Sequence, residues 1–369
     1  MDIFDNLKKT LGIKPRSVIG LDIGSSSLKM IELKHGNQKP ELLKYGTLAL
    51  GPYRKANIGE TVKLSNDKLA SAIQTLFEAV GAVGTKGAIS IPLKLSLIVT
   101  IDMPDSVKNK LETAVPLEAR KYIPVAPKDV NIAWSVISES DGRSMSKQVD
   151  KKNSQMMKVL VAAIHNSTIS NYNEIAVKSS LNPSILEIET FSAIRSVFGG
   201  EKGTFALIDI GSEVSKIVII DYGSISVSHS INRGSHTFTK VLSNSLGIDF
   251  KDAEVLKRKE GMLGSYGEEK LMDIIKPDVD FILNEASQVL HTFEKVQGKK
   301  ITKVILIGGG ALLRGLEEEA KNILGKEVLL GDPFSKVELP TKALGPILKG
   351  SGPEYAVAIG LALRALEEL

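Results

Sequence analysis

Two stretches of the chain share one alternation of apolar and polar positions. Residues 19–33 run through apolar positions to Asp22, cross a Gly-Ser-rich turn and leave through a second apolar run. This pattern predicts two strands joined by a tight turn. Residues 205–220 repeat it, with Asp209 in the place of Asp22. The repeat lies about half the chain length further on, too long a period for a solenoid, and it therefore predicts two similar domains.

The remaining apolar positions fall alternately on strand and helical spacing, which is typical of an α/β protein. The further predicted strands cover residues 42–50, 88–93, 95–101, 130–138, 157–164, 185–188, 224–230 and 301–307. The predicted helices cover residues 64–80, about 106–122, 169–180, 189–198, 237–246, 251–259, 267–296, 312–324 and 353–369. The polar residues 140–155 predict a mobile hairpin loop, and the glycine-rich residues 199–203 predict a hinge between the halves.

Composition narrows the class of protein. The 369 residues are 43% hydrophobic and 24% charged, as in ordinary soluble proteins. The net charge is only +4 and aromatic residues make up 5%, so nucleic-acid binding has little support. The absence of cysteine excludes disulfides, thiolate zinc sites and thiol nucleophiles. No apolar run has the length of a membrane span, and the scattered histidines lack metal-ligand spacing.

The two predicted hairpins carry the chemistry of a phosphate site. Glycine after the aspartate allows close backbone approach, and the hydroxyls that follow add O–H donors to the N–H donors of the turn. The aspartate at the lip of the turn can hold a hydrated Mg²⁺. One such hairpin is commonly only a turn, but two across a cleft would clamp a polyphosphate. The predicted phosphate-binding residues are Asp22, Gly24, Ser25, Ser26, Ser27 and Lys29, then Asp209, Gly211, Ser212 and Lys216.

Three further motifs have both a functional and a purely structural interpretation. The run Gly308-Gly309-Gly310 follows a predicted strand, where it either lets an adenine or phosphate approach the main chain or makes a tight turn. Glu254 and Lys257 have the spacing of a surface ion pair, but beside a nucleotide the carboxylate could accept from ribose hydroxyls. Glu189 follows a strand and would either orient a water or stabilise the start of a helix.

The order of these motifs resembles that of the actin-like ATPases. Within that superfamily the chain resembles the PilM family of type IV pilus assembly proteins, chiefly through Ile19-Gly-Leu-Asp-Ile-Gly-Ser-Ser-Ser-Leu-Lys29. Pro116–Val125, Val159–Ala163 and Ile188–Ala193 also match. The resemblance spans residues 17–369, and it implies an α/β, actin-like ATPase fold with two domains around a nucleotide cleft and an extra subdomain of the FtsA/PilM type.

The resemblance also divides the chain into domains. It implies a first actin-like domain made of residues 18–86, 166–200 and 341–369. The second domain would comprise residues 203–340, of which 240–300 form a mostly helical insert. Residues 87–165 would be the extra subdomain, and residues 1–17 an N-terminal extension.

The resemblance implies a cytoplasmic scaffold that binds ATP and Mg²⁺, with Asp22 and Asp209 positioning the metal through water. As in PilM, it would hold the cytoplasmic tail of a PilN-like single-span membrane protein. It would then lie peripherally at the inner membrane beside other pilus assembly platform proteins. An FtsA-like cell-division or filament-forming protein fits less well, because FtsA continues into a membrane helix whereas this chain stops at Leu369. A small-molecule kinase on the same fold is the other alternative, although no acceptor pocket or base stands out.

Two departures from the superfamily pattern bear on turnover. Glu189 matches the water-facing glutamate of the superfamily, but Thr190 stands where many members have proline. Arg233-Gly234-Ser235 replaces the usual double glycine after the second hairpin. We therefore expect slow ATP hydrolysis or none.

The partner surface is predicted on the extra subdomain, where it meets the first domain. Leu111, Val115 and Ile123 are expected to fill the core of this subdomain rather than to reach a partner. Arginine and tyrosine are residue types favoured at interfaces. The residues predicted to contact a bound peptide are Met103, Arg120 and Tyr122.

Overall fold

The computed structural model describes residues 17–137, 156–341 and 343–369. The strands within these ranges are β1 (Val18–Ile23), β2 (Ser27–Lys34), β3 (Glu41–Ala49), β4 (Lys86–Ile91), β5 (Ser96–Pro104), β6 (Val130–Ile137), β7 (Met156–His165), β8 (Asn182–Ile188), β9 (Thr204–Ile210), β10 (Ser215–Asp221), β11 (Ser224–Ile231), β12 (Ser265–Tyr266), β13 (Glu269–Lys270), β14 (Lys303–Ile307) and β15 (Glu327–Leu330). The α-helices are α1 (Asn66–Val80), α2 (Leu111–Ala119), α3 (Asn166–Lys178), α4 (Glu189–Val197), α5 (Ser235–Leu246), α6 (Phe250–Glu260), α7 (Leu271–Gln297), α8 (Leu316–Leu324), α9 (Leu344–Ser351) and α10 (Ala356–Glu367). The predicted loop 140–155 and the predicted N-terminal extension, apart from Ser17, lie outside the described residues.

The first predicted hairpin, β1 with β2, lies at the centre of a five-stranded sheet of order β3-β2-β1-β4-β8. Strands β1, β2 and β3 are antiparallel, while β4 runs parallel to β1 and β8 parallel to β4. Helices α1 and α3 cover one face of the sheet and α10 covers the other. Burial on both faces explains why β1 is apolar at nearly every position.

The second hairpin, β9 with β10, repeats this topology in a sheet of order β11-β10-β9-β14-β15. Three antiparallel strands are again followed by two parallel ones. The registers also correspond, since Asp22 pairs with Lys29 in the first sheet and Asp209 pairs with Lys216 in the second. Helices α5, α7 and α8 cover the outer face. The matching topology confirms the predicted α/β fold with a repeated unit.

A separate three-stranded sheet of order β5-β7-β6 packs against α2. Leu111, Val115 and Ile123 are buried in its core, as expected. Strand β4 does not belong to this sheet, because it pairs with β1 and β8. Residues 86–91 therefore lie with the first sheet, and the small sheet begins only at Ser96. The rest of the predicted domain division stays a prediction.

Several predicted helices are shorter than their apolar periodicity suggests. A 3₁₀ segment, Asp105–Lys110, precedes α2, and the β12–β13 hairpin replaces the first turn predicted for α7. Helix α8 begins only after Gly315, which has a left-handed backbone (φ +92°). A 3₁₀ turn, Gly352–Tyr355, takes the place of the first turn predicted for the closing helix, and α9 and β15 lie where no element was predicted. Among the described residues, no helix combines the length and apolar character needed to cross a bilayer.

Candidate functional site

The two central hairpins face one cleft of about 450 Å³ between the two large sheets. Its walls come from both sheets, from α6 and from the turn after β14. The cleft brings together all the residues predicted to bind nucleotide and the predicted catalytic glutamate: Asp22, Gly24, Ser25, Ser26, Ser27, Lys29, Glu189, Asp209, Gly211, Ser212, Lys216, Glu254, Lys257, Gly308, Gly309 and Gly310.

The first hairpin is held rigidly around Asp22. The backbone N–H of Ile23 donates to Ser90 Oγ (3.0 Å), and that hydroxyl donates to Asp22 Oδ1 (2.9 Å). Burial raises the pKa of Asp22, against the opposing effect of Lys29 and this hydrogen bond. A buried carboxylate in this setting favours a nearby cation. The carbonyl oxygens of Ser25 and Ser26 accept from the backbone N–H groups of Val62 and Leu50, which leaves the serine hydroxyls available to the cleft that these residues line.

The second hairpin is fixed by the start of α5. The backbone N–H groups of Ser235 and His236 donate to the carbonyl oxygens of Gly211 and Ser212 (both 2.9 Å). Of the expected double glycine, only Gly234 remains. A Cβ at that position would lie 2.6 Å from both of those oxygens, so the close approach requires glycine. Arg233, which stands in place of the other glycine, pairs with Asp278 (3.0 Å) and covers the ring of Phe281. Asp278 and Phe281 both belong to α7.

Lys216 joins the two domains where the two hairpins line the cleft. Its Nζ lies 2.9 Å from Asp209 Oδ2 and 2.7 Å from Glu189 Oε2. Although burial alone would lower it, the two carboxylates raise the pKa of Lys216 above its ordinary value, so it is an ammonium. Burial raises the pKa of Glu189 and Lys216 opposes that shift. The second oxygen of Glu189 accepts from the backbone N–H of Leu93 (2.7 Å). Both oxygens thus have protein donors, and a role for Glu189 in orienting water stays a prediction.

The triple glycine divides into two packed positions and one open position. Gly308 has φ +85°, and a Cβ there would lie 2.4 Å from Asp209 Oδ1. Gly310 packs equally closely on Ile210. Around Gly309, by contrast, a Cβ would meet no described atom within 4 Å. Gly309 is therefore the position where this turn presents open backbone to the cleft.

Glu254 and Lys257 form a buried cluster rather than a surface ion pair. Glu254 is 4% exposed and accepts from Lys257 Nζ (2.7 Å), Thr239 Oγ1 (2.6 Å) and Arg258 Nε (2.6 Å). Against the opposing effect of burial, Lys257 and these hydrogen bonds lower the pKa of Glu254. A Cβ on Gly59, from the other side of the cleft, would lie 2.6 Å from its carboxyl carbon. With several donors already present, Glu254 has little capacity left to accept from a ribose.

The carboxylates of the two hairpins fit a metal held through water. Among the described residues, no group of three or more histidines and carboxylates is arranged to hold a metal ion. Asp22 and Asp209 instead line opposite hairpins of the same cleft. Mg²⁺ commonly keeps several waters and takes one or two carboxylates, so this arrangement suits it.

The predicted partner residues do not share one environment. Met103 is only 3% exposed, because the alternation of β5 turns it into the core with Ile101, so the prediction that it contacts a partner is wrong. Arg120 and Tyr122 are exposed.

Sequence reasoning missed the pair Lys94 and Glu213 (2.7 Å), which crosses the rim of the cleft. It also missed Gly59, for which the sequence holds no local signal.

Two sheets of matching topology, each contributing a donor-rich hairpin to one cleft, define the actin-like ATPase fold. Solved structures agree in fold. The PilM-PilN type IV pilus biogenesis complex has a TM-score of 0.78 at 24% identity, covering 95% of this chain and 99% of that one. The ethanolamine utilization protein EutJ from Carboxydothermus hydrogenoformans has a TM-score of 0.56 at 15% identity, covering 95% and 90%.

The family follows from the sequence as a whole. The model described as "Type IV pilus assembly protein PilM" matches residues 20–366, and the chain belongs to this family. A curated relative, the cell division protein FtsA of Agrobacterium fabrum, is 28% identical over 184 residues. That match covers 43% of this chain and only 39% of the relative's length.

Proposed function

We propose that this chain is an ATP-binding scaffold of the type IV pilus assembly platform, on the cytoplasmic side of the inner membrane. In this proposal it holds the cytoplasmic tail of a PilN-like membrane protein beside other platform proteins. Membership of the PilM family supports the pilus role. One observation carries the nucleotide role: both donor-rich hairpins and the open backbone of Gly309 line a single cleft of about 450 Å³. This volume lies within the range of small-molecule sites.

The residues of the cleft would divide the nucleotide among them. The hydroxyls and N–H groups of Ser25–Ser27, with Gly211 and Ser212, would bind the phosphates. Asp22 and Asp209 would hold Mg²⁺ through water, and the bound metal would neutralise phosphate charge. The turn at Gly308–Gly310 would admit the adenosine along the backbone of its open middle position.

The nucleotide role is tested by calorimetric titration of the chain with MgATP. Gly309→Val should weaken binding at least tenfold, since its side chain would project into the open space at Gly309 without altering any charge. Gly345→Val on α9 is the matched control, because its nearest neighbour would lie 4.0 Å from an added Cβ. Equal affinity of the folded Gly309→Val variant and the wild type would refute this placement of the nucleotide.

The partner role is supported by the exposed end of α2. Tyr122 is 45% exposed, and Leu117 (56%) and Val125 (40%) are exposed nearby in sequence. The core of this subdomain is filled by other residues, so these side chains are available to a peptide. Arg120 adds a cation of the kind common at interfaces.

The partner role is tested by fluorescence anisotropy with a labelled peptide covering the cytoplasmic tail of the PilN-like protein. Arg120→Glu should weaken binding, while Lys295→Glu, an exposed residue on α7, should not. If Arg120→Glu binds as the wild type does and a change in the second domain abolishes binding, the surface is misplaced.

A further inference from the structure

A buried lysine crosses the cleft at the point where the two hairpins meet. Lys216 belongs to β10, whereas Glu189 begins α4 on the opposite side. The side chains of Lys216, Glu189 and Asp209 are each only 12–13% exposed. The 2.7 Å contact between Lys216 and Glu189 is therefore a shielded ion pair between the two domains.

A second ion pair crosses the cleft, with its lysine and its carboxylate on the opposite sides from those of the first pair, but it is much more exposed to solvent. Lys94 and Glu213 are also 2.7 Å apart, yet their side chains are about half exposed (49% and 50%). Water and salt screen such a pair, which commonly contributes little. The buried contact of Lys216 is thus the stronger of the two connections.

The two oxygens of Glu189 make separate contacts, and one of them binds this ammonium. Its Oε1 is fixed by the backbone N–H of Leu93 at 2.7 Å, which leaves Oε2 directed at Lys216. An ammonium has three donors. Two of them are used by Glu189 and Asp209, both of which line the cleft with Lys216. A polyphosphate between the hairpins would bring acceptor oxygens and negative charge to the same ammonium.

We propose that Glu189 and the nucleotide phosphates compete for Lys216, so that phosphate binding transfers this lysine from the interdomain pair to the ligand. This inference rests on the proposed nucleotide role of the cleft. Its consequence is opposite to that expected for a glutamate that helps to bind nucleotide: weakening the hold of Glu189 on Lys216 makes nucleotide binding tighter. The Lys216–Glu189 pair also couples phosphate binding to the contact between the domains, because the release of Lys216 removes a buried interdomain contact.

The test measures the affinity for MgATP, and for ATP in EDTA, by titration of a fluorescent ATP analogue. Glu189→Gln places an NH₂ donor where one of the two carboxylate oxygens stood, so in this geometry it cannot keep the contacts with both Leu93 N–H and Lys216 Nζ, and it loses the negative charge. It should tighten binding about tenfold, the value of one charge-assisted hydrogen bond. Lys216→Met should weaken binding by a similar factor, and Glu189→Gln should then have less than about a twofold further effect.

Glu189→Asp separates competition from simple charge repulsion. It keeps the negative charge but shortens the side chain by one methylene, so it should also tighten binding. It decides the question even if Lys216→Met fails to fold. Glu201→Gln is the matched control: it removes one carboxylate that pairs with a lysine, Lys303, outside the cleft.

The outcomes are distinct. Tighter binding by both Glu189 variants supports the competition. Tighter binding by Glu189→Gln alone, or the same effect of Glu189→Gln in the wild-type and Lys216→Met backgrounds, shows charge repulsion and overturns the competition. Unchanged affinity in both Glu189 variants also overturns it. A wild-type chain that binds no nucleotide refutes the proposed function instead.

Discussion

Asp22 offers a test in which stability and ligand binding should change in opposite directions. Asp22→Asn keeps the shape of the side chain and an acceptor for Ser90 Oγ, which donates to Asp22 Oδ1 at 2.9 Å. It removes a carboxylate whose pKa is raised by burial, against the opposing effect of Lys29. Because burial disfavours the ionised form of this group, the unliganded variant should be more stable than the wild type near neutral pH. MgATP binding should nevertheless become weaker, since the charge that holds hydrated Mg²⁺ is lost.

The size of the ligand effect can be estimated. A charge-assisted contact contributes about 1.5–3 kcal/mol, which corresponds to roughly 10- to 150-fold in affinity. At a concentration 100 times the wild-type Kd, MgATP stabilises the wild type by about 2.7 kcal/mol. A variant that binds about a hundredfold more weakly would be stabilised by only about 0.4 kcal/mol at the same concentration.

The assay is denaturant unfolding with and without MgATP. Asp102→Asn, at an exposed position of β5, is the matched control and should leave both values unchanged. An undiminished MgATP effect in Asp22→Asn would refute the metal role of Asp22. A variant less stable than the wild type without ligand would refute the argument from burial.

Three further results are expected. ATP hydrolysis should be slower than about 1 s⁻¹ in a phosphate-release assay, because the Leu93 N–H holds one oxygen of Glu189 and Thr190 follows this residue where many actin-like ATPases have proline; a rate at or above this value would contradict this expectation. Burial raises the pKa of Tyr355 to about 12, so stability from its neutral phenol is complete below about pH 10 and is lost as the pH rises toward 12. In unfolding experiments at alkaline pH, Tyr355→Phe should remove this loss of stability. If the variant and the wild type have the same alkaline stability profile, ionisation of Tyr355 does not cause the loss. Against the effect of burial, Lys257 lowers the pKa of Glu254, so its contribution is present above its ordinary pKa and lost as the pH falls through the lowered one. Glu254→Gln should flatten the acid limb of the stability profile and cost about 3–5 kcal/mol in neutral denaturant unfolding, because it leaves Lys257 buried without its charged partner.

The hairpins could be predicted from sequence because their information is local. Period-2 alternation and a glycine-containing turn specify β1–β2 and β9–β10, and the repetition of the pattern indicated that they are equivalent. The composition of the cleft followed from that equivalence and from the triple glycine. The alternation of Ile101, Asp102 and Met103 also held a usable signal, since it places Ile101 and Met103 on one face of β5. Attention to this alternation would have assigned Met103 to the core.

Residues that look equivalent in sequence make different contacts in the structure, and these differences could not be predicted from the sequence. Lys29 and Lys216 occupy the same place in the two hairpins, yet the buried contact with Glu189 is made by Lys216. That contact depends on where α4 begins relative to the opposite sheet, which is a property of domain packing. Glu254 and Lys257 likewise have the spacing of an exposed pair, and only the packing of α6 against α5 buries them. The three glycines at 308–310 look equivalent in sequence, but they differ in backbone conformation and in what packs around them.

The packing of α10 indicates how the cleft can move. A Cβ on Gly20 of β1 would lie 2.1 Å from the carbonyl oxygen of Ala358, so this helix packs directly against the strand that carries Asp22. Just before α10, the carbonyl oxygen of Pro353 accepts from Gly308 N (2.9 Å), which connects the same region to the second sheet. One apolar cluster contains residues of α10 and of both sheets. Such a dense core resists shear. We therefore expect closure of the cleft to leave this core intact and to change the contacts that cross the cleft, between Gly59 and Glu254 and between Lys216 and Glu189.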